Sequence, residues 1–146
     1  MEKRDNIAPL ILGIIASVLM LPSIACNVVC AMFGSEVSSA GDALEEAGLS
    51  GAGGLGGAFF GATLVIAAAA ILACVLGFVA AIKSRGNMKI GGMLFLVTTI
   101  LIVVQLVVSF MTYGTFTDYF AMIACVLYII SLIVCFMEAG KQNAPQ

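Results

Sequence analysis

Read along the chain, apolar residues gather into four long runs separated by short polar segments. The runs cover about residues 7–33, 56–82, 90–111 and 119–137. A helix needs about 20 mainly apolar residues to cross a bilayer, and each run is long enough. None carries a full charge in its interior, and none alternates residue by residue as a barrel strand would. In hydrocarbon only a helix or a closed barrel satisfies its own backbone, so the pattern predicts four spanning helices. Pro22, inside the first run, removes one backbone hydrogen bond and predicts a kink near Ser17 and Val18.

The polar segments sort by sign. Lys3 and Arg4 precede the first run, Lys83, Arg85 and Lys89 lie between the second and third, and Lys141 follows the fourth. The other two connections hold Glu36, Asp42, Glu45, Glu46 and Asp118 but no Lys or Arg. All six basic residues are therefore topology determinants on one side, which the positive-inside rule assigns to the cytoplasm. Both termini are expected inside. Phe33, Phe59, Phe60, Phe110, Tyr113, Phe116, Tyr119 and Phe120 cluster toward the opposite interface, as an aromatic belt would. The short segment KSRGNMK, with Gly86-Asn87 as turn residues, predicts that the second and third helices are antiparallel neighbours.

The first outer connection, 34–55, reads in two parts. In SEVSSAGDALEEAG, Val37, Ala40, Leu44 and Ala47 recur at helical spacing, which predicts a short amphipathic helix at the membrane surface. GLSGAGGLGG reads as a glycine-rich linker. The expected architecture is a single all-α domain, 1–146: an integral membrane four-helix bundle with both ends inside and a small helix in its first outer loop.

Composition agrees. Of 146 residues 62% are hydrophobic and only 10% charged, against about a quarter charged in soluble domains. Lipid is the expected main partner, and a net charge of −2 argues against nucleic acid. The absence of His removes the commonest general base and metal ligand. All five Cys lie in apolar runs, so a disulfide framework is not indicated. Cys26 and Cys30 sit four apart, near Met20 and Met32, but two thiols alone make a poor soft-metal site. No metal, cofactor or catalytic residue is expected.

Lys3, Arg4 and the stretch Ser23-Ile24-Ala25-Cys26 have the outline of a lipoprotein signal. Ser23 stands where that pattern needs a large aliphatic, and NVVCAMF after Cys26 stays apolar, so the first run is expected to be retained.

Two sets of residues are candidates for function. Gly53, Gly57, Gly61, Ala69, Ala73, Gly77 and Ala81 recur at four-residue spacing, broken only by Val65. Such a row makes a helix-packing groove, within one protomer or between two. Asn27, Thr63, Gln105 and Ser109 are uncharged polar residues in the outer half of the spans. They are read as interhelical hydrogen-bonding groups or as the wall of a neutral polar vestibule. No Asp, Glu, Lys or Arg falls inside a run to mark ion coupling.

The opening IAPLILGIIASVLML, the stretch ILACVLGFVAAIKSRGNMKIGGMLFLVTTILIVV and a last run ending in a short polar tail resemble small bacterial four-span proteins, grouped only as a domain of unknown function. The resemblance implies a bacterial cell membrane and a four-helix layout, and it transfers no active-site residues. The outline is also similar to the claudin-like tetraspan layout, but the Trp and paired loop Cys of claudins are absent. The function expected is a non-enzymatic scaffold or accessory protein, packing with itself or with another membrane protein. The alternative is an oligomeric, holin-like pore for small or neutral solutes.

Overall fold

A computed structural model describes residues 7–114 and 118–143. Lys3, Arg4 and Phe116 lie outside the described residues. Four helices follow in chain order: α1, Ala8–Glu46; α2, Ala52–Gly86; α3, Met88–Tyr113; and α4, Tyr119–Gln142. All four are long and apolar enough to cross a membrane. Each packs on its sequence neighbours, and α4 closes the ring against α1, giving an up-down-up-down bundle. One end carries Lys83, Arg85, Lys89 and Lys141; the other carries Glu36, Asp42, Glu45, Glu46 and Asp118. We call these the basic and acidic ends.

The buried positions recur every seven residues in all four helices. They are Gly13, Met20, Asn27, Gly34 and Gly41 in α1, and Gly56, Thr63, Ala70, Gly77 and Ser84 in α2. Gly91, Thr98 and Gln105 in α3, and Ala121, Tyr128 and Cys135 in α4, follow the same rule. A seven-residue repeat keeps one seam facing inward when helices pack at about 20°. The seam is built from small and polar residues, while Ile, Leu, Val and Phe crowd the outside. That distribution suits lipid, where close backbone approach drives packing and outward aliphatics cost nothing.

The seam explains two departures from the sequence reading. No separate helix lies in the first connection, 34–55. Residues 35–46 continue α1, and the connection shrinks to 47–51, with Gly48 and Gly51 at φ of 104° and 90°. No proline interrupts SEVSSAGDALEE, and its Gly41 lies against the Ala52 backbone while Gly56 of α2 lies against Ser38. This close approach draws the expected glycine linker into α2 and offsets the cost of helical glycine. The stripe Val37, Ala40 and Leu44 is exposed, not laid against α2.

The second departure is the four-residue row of α2, which does not stay on one face. On a helix of 3.6 residues per turn, each four-residue step rotates the row by about 40°. Ala69, Ala73, Gly77 and Ala81 are buried in the bundle, and Gly53 is buried beside Asp42 and Glu45. Gly57 and Gly61 face outward with open space around them.

The tight turn at Gly86-Asn87 was legible. Asn87 alone separates α2 from α3, its side-chain oxygen accepting from the Lys89 and Ile90 amides at 3.1 and 3.3 Å. Gly114, at φ of 70°, ends α3. Pro22 sits within α1, which continues past it.

Candidate functional site

Toward the basic end the bundle is filled. Phe95 and Tyr128 are fully buried with ring centroids 6.0 Å apart. The Tyr128 hydroxyl lies 2.8 Å from Ser17 Oγ, which also donates to the Gly13 carbonyl at 2.8 Å. Met20 and Ile102 complete this level without exposure.

Toward the acidic end the same seam carries medium-sized polar residues. Ser23 and Asn27 come from α1 and Gln105 from α3, all buried. They meet on Asp118, the N-cap of α4. One carboxylate oxygen, Oδ1, accepts from the Ala121 amide at 3.0 Å, which satisfies a free donor of the first turn. The other, Oδ2, receives Ser23 Oγ at 2.5 Å, Gln105 Nε2 at 3.1 Å and Asn27 Nδ2 at 3.4 Å. Asn27 and Gln105 also donate to Ser23 Oγ, at 3.2 and 3.4 Å. One carboxylate thereby ties α1 and α3 to the start of α4.

Beside this network lies a cavity of about 560 Å³, lined by Pro22, Ser23, Cys26, Asn27, Cys30, Ser109, Tyr113, Asp118 and Phe120. Its volume is in the range of small-molecule sites, about 300–1,000 Å³. Pro22, Cys26 and Phe120 are exposed, so the cavity opens between α1 and α4 toward the outside of the bundle. Two polar atoms of this region are buried without a hydrogen-bond partner: Gln105 Oε1 and the Tyr113 hydroxyl. The Tyr113 ring meets Phe59 edge-on at 6.2 Å.

Of the four polar residues singled out from sequence, the structure brings Asn27, Gln105 and Ser109 to this cavity or its network. Thr63 stands apart: its hydroxyl donates to the Phe60 carbonyl of its own helix at 2.8 Å, opposite Gly34. Asp118, which the sequence pattern puts in the short connection 112–118, is partly buried and organises the cluster. The signal for it was present, since an Asp directly before an apolar run is an N-cap pattern. Ser23 was weighed only as part of a signal sequence. The seven-residue series Pro9, Ala16, Ser23 would have placed it inward. Among the described residues no three His, Cys, Asp or Glu side chains group as metal ligands, Cys26 and Cys30 included.

No protein family matches the chain, and no curated protein or solved structure shows detectable similarity to it. Functional assignment therefore rests on its residues.

Proposed function

We propose that this is a non-enzymatic, multi-pass accessory protein of the cell membrane, acting by helix packing with a second membrane protein or another copy of itself. The observation that supports this most is the unequal length of the two helical hairpins. At 1.5 Å per residue, the 26 and 24 residues of α3 and α4 span about 39 and 36 Å. The 39 and 35 residues of α1 and α2 span about 58 and 52 Å. A bilayer with its headgroups is about 40–45 Å thick. The acidic end of the α1–α2 hairpin thus runs beyond both the membrane and the other two helices.

On this extension Val37, Leu44, Leu49 and Leu55 are exposed, Leu55 to 77%. The hairpin is stiffened by its glycine contacts and by Glu45, whose Oε2 accepts from the Gly53 amide at 2.9 Å. Apolar side chains held out by a rigid hairpin mark an interaction surface. With the basic end cytoplasmic, by the positive-inside rule, this surface stands outside and both termini inside.

A photo-crosslinking residue at Leu55, activated in native membranes, is expected to give a discrete adduct with a partner or with a second copy. Adducts to lipid alone, with the protein otherwise monomeric, would contradict the proposal. A pore has less support: the fully buried Met20, Phe95, Ile102 and Tyr128 fill the bundle below the cavity. Solute flux through liposomes loaded with the purified protein would reinstate it.

A further inference from the structure

The cavity at the acidic end has chemistry that the packing proposal does not use. Every contact of the Asp118 carboxylate is with a donor: Ser23, Asn27, Gln105 and the Ala121 amide. That is the hydrogen-bonding pattern of an ionised carboxylate, which can only accept. No cationic side chain among the described residues pairs with it. Among the described residues the single ion pair is Lys141–Glu138, at the basic end, and Lys83, Arg85 and Lys89 lie at that end too. A part-buried negative charge without a countercharge leaves a hollow that favours cations.

The rest of the wall narrows the kind of cation. Tyr113 and Phe120 supply aromatic surface, Pro22, Cys26 and Cys30 apolar surface. Carboxylate with aromatic rings is the combination that holds organic ammonium groups. A volume of about 560 Å³ is far more than a bare metal ion needs. Gln105, which does not line the cavity, commits its amide to Ser23 and Asp118 and so holds the carboxylate in place.

The open side of the cavity, between Pro22, Cys26 and Phe120, is exposed on the outside of the bundle.

We infer that this cavity is a binding site for a small organic ammonium group, with Asp118 as its counter-ion and Tyr113 and Phe120 as its aromatic walls. The same group is carried by ethanolamine and choline lipid headgroups and by free small amines.

The test uses the full chain purified in detergent, following its thermal unfolding. Free ethanolamine and choline are compared with ethylene glycol, a neutral compound of similar size. Short-chain phosphatidylethanolamine is compared with phosphatidylglycerol, which has the phosphate but no ammonium. The expected result is a rise in unfolding midpoint with ammonium compounds and none with their neutral or ammonium-free counterparts. Stabilisation by free ethanolamine or choline assigns the site to soluble amines; stabilisation by the phosphatidylethanolamine alone assigns it to headgroups.

Asp118→Asn keeps a good N-cap residue and the room of the cavity. It is expected to weaken ammonium binding on the order of tenfold or more, and Phe120→Leu to weaken it less. The inference fails if no ammonium compound shifts the wild-type protein, if ethylene glycol or phosphatidylglycerol shifts it equally, or if Asp118→Asn binds as well as wild type.

Discussion

The basic half and the acidic half of this bundle share one seven-residue seam and use it differently. In the basic half glycines oppose rings and backbone: Gly13 meets Phe95 and Ala81, Gly77 meets Tyr128, and Gly91 meets Ser84. In the acidic half the seam holds Ser23, Asn27, Gln105 and Ser109, and a cavity remains beside them. A large ring against a glycine fills the space between helices completely. Medium-sized polar residues meeting one another satisfy their hydrogen bonds first and leave volume unfilled. Without a hydrophobic force between helices in lipid, the first arrangement supplies rigidity and the second supplies chemistry.

Substitutions at the seam should separate these roles. The largest effect is expected at Gly91→Ala. Its new Cβ would lie 2.7 Å from the Ser84 Cα and 3.0 Å from the Ser84 nitrogen. Backbone cannot step aside here, because Asn87 alone connects the two helices. A loss of about 2–3 kcal/mol is expected, the upper range for an overpacked site, measurable by reversible unfolding in detergent or bicelles. A neutral result would mean that the α2–α3 contact is looser than the structure gives.

Next in size is Gln105→Leu, which keeps bulk and removes two donors, to Asp118 and Ser23. Interhelical hydrogen bonds in membranes contribute about 0.6–2 kcal/mol, and a cost of about 1–2 kcal/mol is expected. The unpartnered Oε1 disappears with the same substitution, which holds the loss below that of Gly91→Ala. Asn87→Ala follows, with a loss of about 1 kcal/mol, the usual worth of a side-chain cap. Because the Asn87 side chain bonds to the Lys89 and Ile90 amides at the basic end, that loss should leave the ammonium binding proposed for the far end unchanged.

How far these regions were legible in the sequence follows from how each is specified. The four helices and the Asn87 turn were plain, because apolar runs and turn residues are local signals. The inward face was not, because in lipid hydrophobicity no longer distinguishes inside from outside. The four-residue row in α2 was conspicuous to the eye, yet a row of that spacing winds around the helix. The informative period was seven, carried by residues as unlike as Gly13, Met20 and Asn27. Asp118 was missed for a different reason. Its charge suggested solvent, whereas its position before Tyr119 made it a cap, and the partners that draw it inward lie 13 to 95 residues away. The connection 34–55 was misread through composition: glycine suggests a linker where it serves close packing between α1 and α2.

Gly57 and Gly61 give the smallest expected effect and the clearest distinction between the two uses of small residues. A Cβ at either position meets nothing within 4 Å inside the protomer. Exchanging an open helical glycine for alanine removes backbone entropy from the unfolded chain and is favourable by about 0.4–1 kcal/mol. The pair Gly57→Ala and Gly61→Ala should therefore leave an isolated protomer as stable as before or slightly more so. If this outward stretch of α2 is where a second copy packs, added methyl groups would hold the backbones apart and weaken association. Unfolding at low protein-to-detergent ratio reads the first effect, and the dimer fraction by crosslinking at high ratio reads the second. Gain in the first with loss in the second would mark Gly57 and Gly61 as an intermolecular contact. Gain in both, or no change in association, would exclude Gly57 and Gly61 as such a contact.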